Sequence, residues 1–395
     1  MAFQVRTVLL IAIITIINYF DRSAISFAIL PIEKELGLSD AEFGMILGAF
    51  GIGYLAISFI SGIVLDRFGS IRIWAMSAAF WSCCTLSFSF ARGFWSMLIL
   101  RALLGAAEAL HFPALLKTTA DWLQPSFRAR AISFGLLGVP IASVIGAPFL
   151  TFLMSGLSWR WMFVILGVLG LIWALIWPRC FRNRVNPHHG SGKERSATFW
   201  TMMKHRSFIA SCIAYFALGY LVFFGLLWLP GFFEKQLHLS IHETGTLLMI
   251  PWGFSSLLII AGGSISDWLW KITHSLRIAR SYLIIIGLCL AGISFFFLIY
   301  ASDLRVIIAL LSLGLGFAFL INAPLYALNA DLFPNRAATA QGIMTGFFAL
   351  AGIIAPVITG FLVERSGSFV APFFLIIFVC AIGAFAVFTL QNKIS

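Results

Sequence analysis

Two residues that could do chemistry stand side by side where charge is costly. Asp21 and Arg22 lie in the stretch INYFDRSAIS, inside the first long apolar segment. Three more, Arg101, Glu108 and His111, lie in RALLGAAEALHFPA, inside another apolar segment. These five are the acidic, basic or histidine residues that lie well inside the predicted membrane spans, away from their ends, and all are in the first half of the chain. A charged side chain at the centre of a membrane helix costs about 2.5–3.5 kcal/mol or more, so it faces a cavity or a partner and is functional by default. Arg101 and Glu108 are two helical turns apart and share a face. Asn18, Asp21 and Arg22 fall at i, i+3 and i+4, one stripe of a helix. Two guanidiniums and two carboxylates can therefore meet at one cavity.

The chemistry of that set is anion binding coupled to proton transfer. Arginine keeps its charge and offers a planar fork of donors that fits a carboxylate, so Arg22 and Arg101 are candidates to hold an anionic substrate. Burial favours the neutral form of a carboxylic acid, while a neighbouring arginine favours the ionised form. That competition makes Asp21 and Glu108 candidates to take up and release a proton. The bland alternative is a pair of structural salt bridges that only fix helix packing. His111, one turn beyond Glu108, has a reference pKa of about 6.5 that suits a proton relay. A hydrogen-bonded packing role explains it equally well.

The elements that must position these residues are membrane helices. The chain has 395 residues, 61% of them hydrophobic and 10% charged, with a mean hydropathy of +1.00. Soluble domains carry about 25% charged residues. Apolar runs of the length needed to cross about 30 Å of hydrocarbon recur throughout. The spans are placed at about 7–30, 43–65, 71–91, 94–116, 128–153, 161–178, 207–230, 243–266, 279–300, 304–329, 336–362 and 368–390. The expected fold is thus an all-α integral membrane protein of twelve transmembrane helices. No alternating ten-residue pattern of a β-barrel is present. The first run lacks a cleavage site and is read as a retained helix. The six cysteines show no metal spacing and no disulfide framework.

Outside the spans, Lys34, Arg92, Arg160, Lys235, Arg305 and Arg365 are assigned to outer segments. The remaining Lys and Arg, apart from Arg22 and Arg101, fall on the other side. The positive-inside rule then places both termini in the cytoplasm. The formal net charge of +11 is read as basic cytoplasmic loops rather than as a nucleic-acid surface. The basic stretch RCFRNRVNPHHGSGKERS divides the chain. It gives a six-helix bundle over 1–178, a cytoplasmic linker over 179–206 that is charged to lie at an anionic leaflet, and a second bundle over 207–395. The halves read as repeats. Gly62 and Asp66 of GIVLDRFGSIR match Gly263 and Asp267 of GSISDWLWK, and the stretches beginning at Asp121 and Asp331 resemble one another. Parallel repeats of this kind place a substrate site near the midplane between the halves.

Three of these motifs carry a family resemblance over the whole chain. Gly62, Asp66, Arg67, Gly69 and Arg72 form a GxxxDRxGxxR pattern between the second and third spans, like the loop motif of the major facilitator superfamily. With NYFDRSAIS and RALLGAAEALHFPA, the chain resembles the anion:cation symporters, which include bacterial sugar-acid transporters and animal vesicular glutamate, sialic acid and phosphate carriers. The resemblance implies the major facilitator fold, with two six-helix pseudo-repeats. It implies proton coupling at Asp21 and Glu108 and anion binding at Arg22 and Arg101. It also implies substrate contact at Tyr19 and Tyr54, and a gating role for the loop motif and for Asp267. For the tyrosines, ordinary packing is an equal alternative. For the loop, a solvated basic turn is the alternative. In the second half, Asn322, Tyr326, Asn329 and Thr345 could read substrate hydroxyls or simply bond across helices. No charged residue is expected inside the second-half spans.

The expected function is proton-coupled uptake of an organic anion by alternating access, in a bacterial inner membrane, by a monomer. The proton is the coupling ion, and no cofactor or metal is called for. The partners are a small organic anion and the lipid bilayer, with no nucleic acid. A second reading keeps the fold but exports or exchanges a polycarboxylate, up to a citrate-type siderophore. A non-transporting membrane sensor or an intramembrane enzyme is the third. No nucleotide loop, HExxH motif or nucleophile–base constellation is present to support an enzyme.

Overall fold

A computed structural model describes residues 2–123, 125–181, 202–333 and 337–390. Residues 182–201 of the basic linker lie outside them. Among the described residues the secondary structure is helical throughout, without strands.

The first half begins with α1 (Ala2–Phe27), which breaks at Ala28 and continues as α2 (Ile29–Leu36). Gly37 ends α2 in the left-handed region at φ +67°, where a side chain would be strained. Ser39 then starts α3 (Asp40–Phe68) with a capping box. Its hydroxyl accepts from the Glu42 amide at 3.2 Å, and the Glu42 carboxylate accepts from the Ser39 amide at 2.9 Å. Gly69, at φ +84°, turns the chain into α4 (Ser70–Phe88), as the loop motif requires. α5 (Phe94–Glu108) stops at Glu108. After a turn at Ala109 and Leu110, α6 (His111–Trp122) follows, then α7 (Pro125–Gly156) and α8 (Trp159–Arg179).

The second half repeats this plan. α9 (Arg206–Leu227) breaks at Trp228 into α10 (Leu229–Lys235), and α11 (Ile241–Thr273) follows. A π-helical turn over Arg277–Tyr282 leads into α12 (Leu283–Leu298). α13 (Leu304–Leu320) breaks at Ile321 into α14 (Asn322–Leu332). α15 (Ala337–Ser366) and α16 (Val370–Leu390) complete it. Breaks in the first and fourth helical passes of each half are the structural trace of the duplication read from sequence. Ten helical segments are long and apolar enough to cross a membrane, and Ile141–Gly156 is a shorter apolar one, among the described residues. α4 fills the remaining predicted place. Its serines at 70, 77, 82 and 87, with Thr85, make it the more polar pass.

Two compact units are present. The first is Met1–Lys193 with Phe233–Thr246, and the second is Glu194–Phe232 with Leu247–Ser395. The segment Phe233–Thr246, which follows the seventh span, thus packs with the first unit. Inside the first unit, α3 and α5 touch backbone to backbone. A Cβ on Gly105 would lie 2.0 Å from the Phe50 carbonyl oxygen, and one on Gly53 would lie 1.9 Å from that of Ala102. Small residues let membrane helices approach this closely, where water cannot drive them together. In the second unit Gly262 meets the Leu320 carbonyl of α13 in the same way, at 2.0 Å.

Gly105→Ala should therefore push α5 off α3. Overpacking of this kind costs about 1–3 kcal/mol, and the melting temperature of the purified protein in detergent should fall. An unchanged melting temperature would show that the helices part without cost.

Candidate functional site

The four predicted charges come together in the first unit, on α1 and α5. Arg22 and Arg101 are buried, as are Asp21 and Glu108. Arg22 donates from Nε and Nη2 to one oxygen of Glu108, at 3.2 and 2.9 Å. The other Glu108 oxygen is buried without a hydrogen-bond partner, with Asn18 nearby. Arg101 donates from Nη2 to the backbone carbonyl of Arg22 at 2.8 Å, and its Nε is unpartnered. The second basic residue thus holds the first in place and keeps donor capacity in reserve.

Asp21 does not pair with its neighbour Arg22. The two point to different sides of α1, as expected from the 100° between adjacent residues. Both Asp21 oxygens are buried with no hydrogen bond. Trp81 and Thr85 of α4 lie beside them, short of a closed bond, and Glu108 and Arg101 are within electrostatic reach. The two acids are therefore unlike: Glu108 has one oxygen committed to Arg22, and Asp21 has both oxygens uncommitted.

Aromatic rings surround Arg22. Its guanidinium carbon stands 5.0 Å from the ring centre of Tyr19, 4.7 Å from that of Phe50 and 5.4 Å from that of Tyr54. The sequence-predicted tyrosines thus reach the site. Phe50 was not anticipated, because nothing distinguishes it among 41 phenylalanines. Its one signal is its place a helical turn before Tyr54. His111 lies apart from this aromatic set, against the edges of Trp74 and Trp81. Its Nε2 is 3.2 Å from the Thr15 hydroxyl, which gives its own proton to the Ile11 carbonyl at 2.9 Å. His111 Nε2 is then the donor, and the buried Nδ1 is an acceptor without a partner.

The second-half residues belong to the other unit. Tyr326 is exposed and its hydroxyl lies 2.9 Å from that of Tyr215. Asn322 opens α14. The Thr345 hydroxyl donates to the Gln341 carbonyl at 2.9 Å, within its own helix. Asn329 is buried and donates to the Met344 sulfur. The expectation that these spans hold no charge needs correction at one end. Arg280 is buried and donates to Asp267 at 3.0 Å and to Ser266 at 2.6 Å, with Asp331 at 3.5 Å. The π-turn that carries Arg280 presents it to two acids, so its charge is compensated at the helix end.

Around the first-half loop motif, Arg67 and Arg72 are exposed and Gly69 makes the turn. The side chain of Asp66 and residue Gly62 beyond its backbone lie outside what the structure describes. A cavity of ≈ 650 Å³ opens here, with Arg67, Arg72, Lys117, Asp121, Trp122 and Phe181 among its walls.

At α2 and α10 a second charged cluster was not anticipated. Lys235 donates to both Glu33 oxygens, at 2.9 and 2.7 Å, and to Asp40. Glu234 is buried alongside, with Oε1 unpartnered. Burial pushes the Glu33 carboxyl up to about 7 against the pull of Lys235, with Asp40 adding to the rise. Burial likewise pushes Glu234 up to about 7, opposed by Lys235 and aided by Glu33. The folded protein therefore holds these protons more tightly than an unfolded chain, whose glutamates titrate near 4.3. The stabilisation is present at mildly acidic pH and is lost as pH rises through about 7. The melting temperature should fall between pH 6 and pH 8. In Glu33→Gln that fall should shrink, by an amount on the order of 1–3 kcal/mol. An equally steep fall in the variant would remove Glu33 from the cause.

Known proteins resemble this chain along its whole length. The profile described as Major Facilitator Superfamily matches residues 11–321 and 275–393. A hexuronate transporter of Bacillus subtilis is 29% identical over 94% of this chain and 91% of its own length. The D-galactonate transporter of Escherichia coli is 29% identical, over 91% of this chain and 89% of its own. A probable galactarate/D-glucarate transporter of Bacillus subtilis is 30% identical, over 92% of this chain and 86% of its own. Among solved structures, a bacterial homologue of the human lysosomal transporter Spinster, in an inward-facing and occupied conformation, matches with a TM-score of 0.84. It has 18% identity and covers 100% of this chain and 98% of that one. A D-xylose–proton symporter matches at a TM-score of 0.78 with 17% identity, over 98% of this chain and 97% of that one.

Proposed function

The chain belongs to the Major Facilitator Superfamily and is a multi-pass membrane transporter rather than an enzyme, and we propose that it takes up a sugar acid or a related organic anion together with protons by alternating access. The observation that carries this reading is the Arg22–Glu108 pair with Arg101 beside it, buried among Tyr19, Phe50 and Tyr54. Similar proteins are named as a hexuronate transporter, a D-galactonate transporter and a probable galactarate/D-glucarate transporter, and those substrates are all carboxylates.

In this reading Arg22 exchanges its Glu108 oxygen for a substrate carboxylate, and Arg101 adds its spare donor. Glu108, released from Arg22, takes a proton. Asp21, with two uncommitted oxygens, carries a proton on the other side of α1. Tyr19 and Tyr54 offer hydroxyls, and Asn322, Tyr326 and Thr345 are the polar groups that the second unit offers a substrate. His111, with its open Nδ1, serves as a relay in this reading. The loop motif and the Asp267–Arg280 pair act as gates at the basic side, which the positive-inside rule makes cytoplasmic. The membrane is then the bacterial inner membrane, with both termini inside.

Thermal-shift screening in detergent tests the substrate class. Hexuronates, aldonates and aldarates should raise the melting temperature, and neutral hexoses and pentoses should not. Stabilisation by neutral sugars and not by their acids would overturn the anion reading.

A further inference from the structure

One ring lies against both guanidiniums of the site. Phe50 sits on α3, buried, with Arg22 at 4.7 Å and Arg101 at 5.0 Å from its ring centre. Tyr19 and Tyr54 also approach Arg22, but among the described residues Phe50 is the ring that both arginines stand over. Two like charges cannot be further apart than the sum of those two distances, and a shared aromatic face offsets part of their repulsion. A ring placed on a guanidinium face leaves its in-plane donors free. Arg22 indeed uses its edge for Glu108, and Arg101 keeps Nε unpartnered.

The backbone fixes the ring where it is needed. The Phe50 carbonyl is the atom against which Gly105 packs, so α3 has no room to shift along α5 at this level. Tyr54 stacks on Phe50 with ring centres 5.9 Å apart and planes 27° apart, which holds it from the next turn. The ring thus couples the positions of an arginine on α1 and an arginine on α5.

We propose that Phe50 is a positioning residue of the anion site, holding Arg22 and Arg101 side by side through its π face so that both can donate to one carboxylate. The proposal rests on the reading of those arginines as the anchors of the anion. A purely structural phenylalanine would serve as well if replaced by another apolar side chain of similar size. A cation–π anchor would not.

The experiment replaces Phe50 by leucine, by tyrosine and by phenylalanines carrying one, two and three ring fluorines. Fluorination drains the negative face of the ring with little change in volume. Binding of D-galactonate and D-glucuronate is measured on the purified, full-length protein beside its melting temperature. Phe50→Leu should raise Kd about five- to thirtyfold, and Phe50→Tyr should restore it to within about threefold. Log Kd should rise stepwise with each fluorine, while the ratio of uptake with and without a proton gradient stays as in the wild type. A flat fluorine series, or wild-type affinity in Phe50→Leu, would overturn the proposal. Should the wild type bind neither acid, the proposed function fails on its own. The series is then read on melting temperature, where a graded fall supports the shared π contact and a flat response rejects it.

Discussion

Arg22→Ala should all but abolish binding of the organic acid, with a rise in Kd of about thirtyfold to several thousandfold. Truncating one partner of a buried, hydrogen-bonded charge pair costs about 2–5 kcal/mol, and each 1.4 kcal/mol is a factor of ten. Arg22 carries that weight because its two donors already hold an anionic oxygen, that of Glu108, at 3.2 and 2.9 Å. A substrate carboxylate meets the same fork. The variant also leaves Glu108 buried without its hydrogen-bonded partner, with only the more remote charge of Arg101, and breaking a buried pair in this way destabilises by about 3–5 kcal/mol. Lost binding could then reflect lost folding. Arg22→Ala combined with Glu108→Gln separates the two. Neutralising both partners should return the melting temperature toward the wild type and leave binding absent. Recovery of binding in the double variant would mean that Arg22 is only a structural counter-ion.

The second large effect concerns Asp21. Asp21→Asn keeps the shape of the side chain and removes the proton site. Substrate binding and one-for-one exchange should survive, because Arg22, Arg101 and Glu108 are untouched. Accumulation driven by a proton gradient should vanish. One pH unit is worth about 1.36 kcal/mol, or roughly a tenfold concentration ratio for each coupled proton. The variant should accumulate to a ratio near one. Counterflow in proteoliposomes separates exchange from accumulation. Equal loss of both would instead mark Asp21 as part of a structural ion network with Arg101 and Glu108.

Much of this site was legible in the sequence because charge in a membrane helix is costly and therefore informative. Helical spacing put Arg101 and Glu108 on one face, but the single stripe expected for Asn18, Asp21 and Arg22 divides, because the adjacent Asp21 and Arg22 point to different sides of α1. Sequence could not choose the partners. That Arg22 takes Glu108, and that Arg101 takes the Arg22 carbonyl, depends on how α1 and α5 are set against each other. The helix breaks do carry a local signal. They fall at Ala28, Ala109–Leu110, Trp228 and Ile321, each ending two or three residues before a proline (Pro31, Pro113, Pro230 and Pro324), whose ring and missing N–H disrupt the turn that precedes it. Proline alone does not decide the matter, because Pro178, Pro251 and Pro356 lie inside helices, where neighbouring groups can satisfy the freed backbone. Phe50 and the Lys235 cluster escaped for another reason. Each gains meaning only from a residue far away in sequence, Arg101 in one case and Glu33 in the other. Arg280 lay at a predicted span boundary, where positions are good to a few residues and a buried charge looks like a loop charge.

The central claim is coupling between the anion and the proton. Its most direct measurement is uptake of a labelled sugar acid, D-galactonate or D-glucuronate, into proteoliposomes of the full-length protein. The exterior is held at pH 6 and the interior at pH 7.5, and a parallel sample has pH 7.5 on both sides. The inward proton gradient should produce transient accumulation above the external concentration. The sample without a gradient should only equilibrate, and Asp21→Asn should behave alike in both. Uptake of equal size in the two wild-type samples would contradict proton-coupled import and leave the charge cluster as an anion site alone.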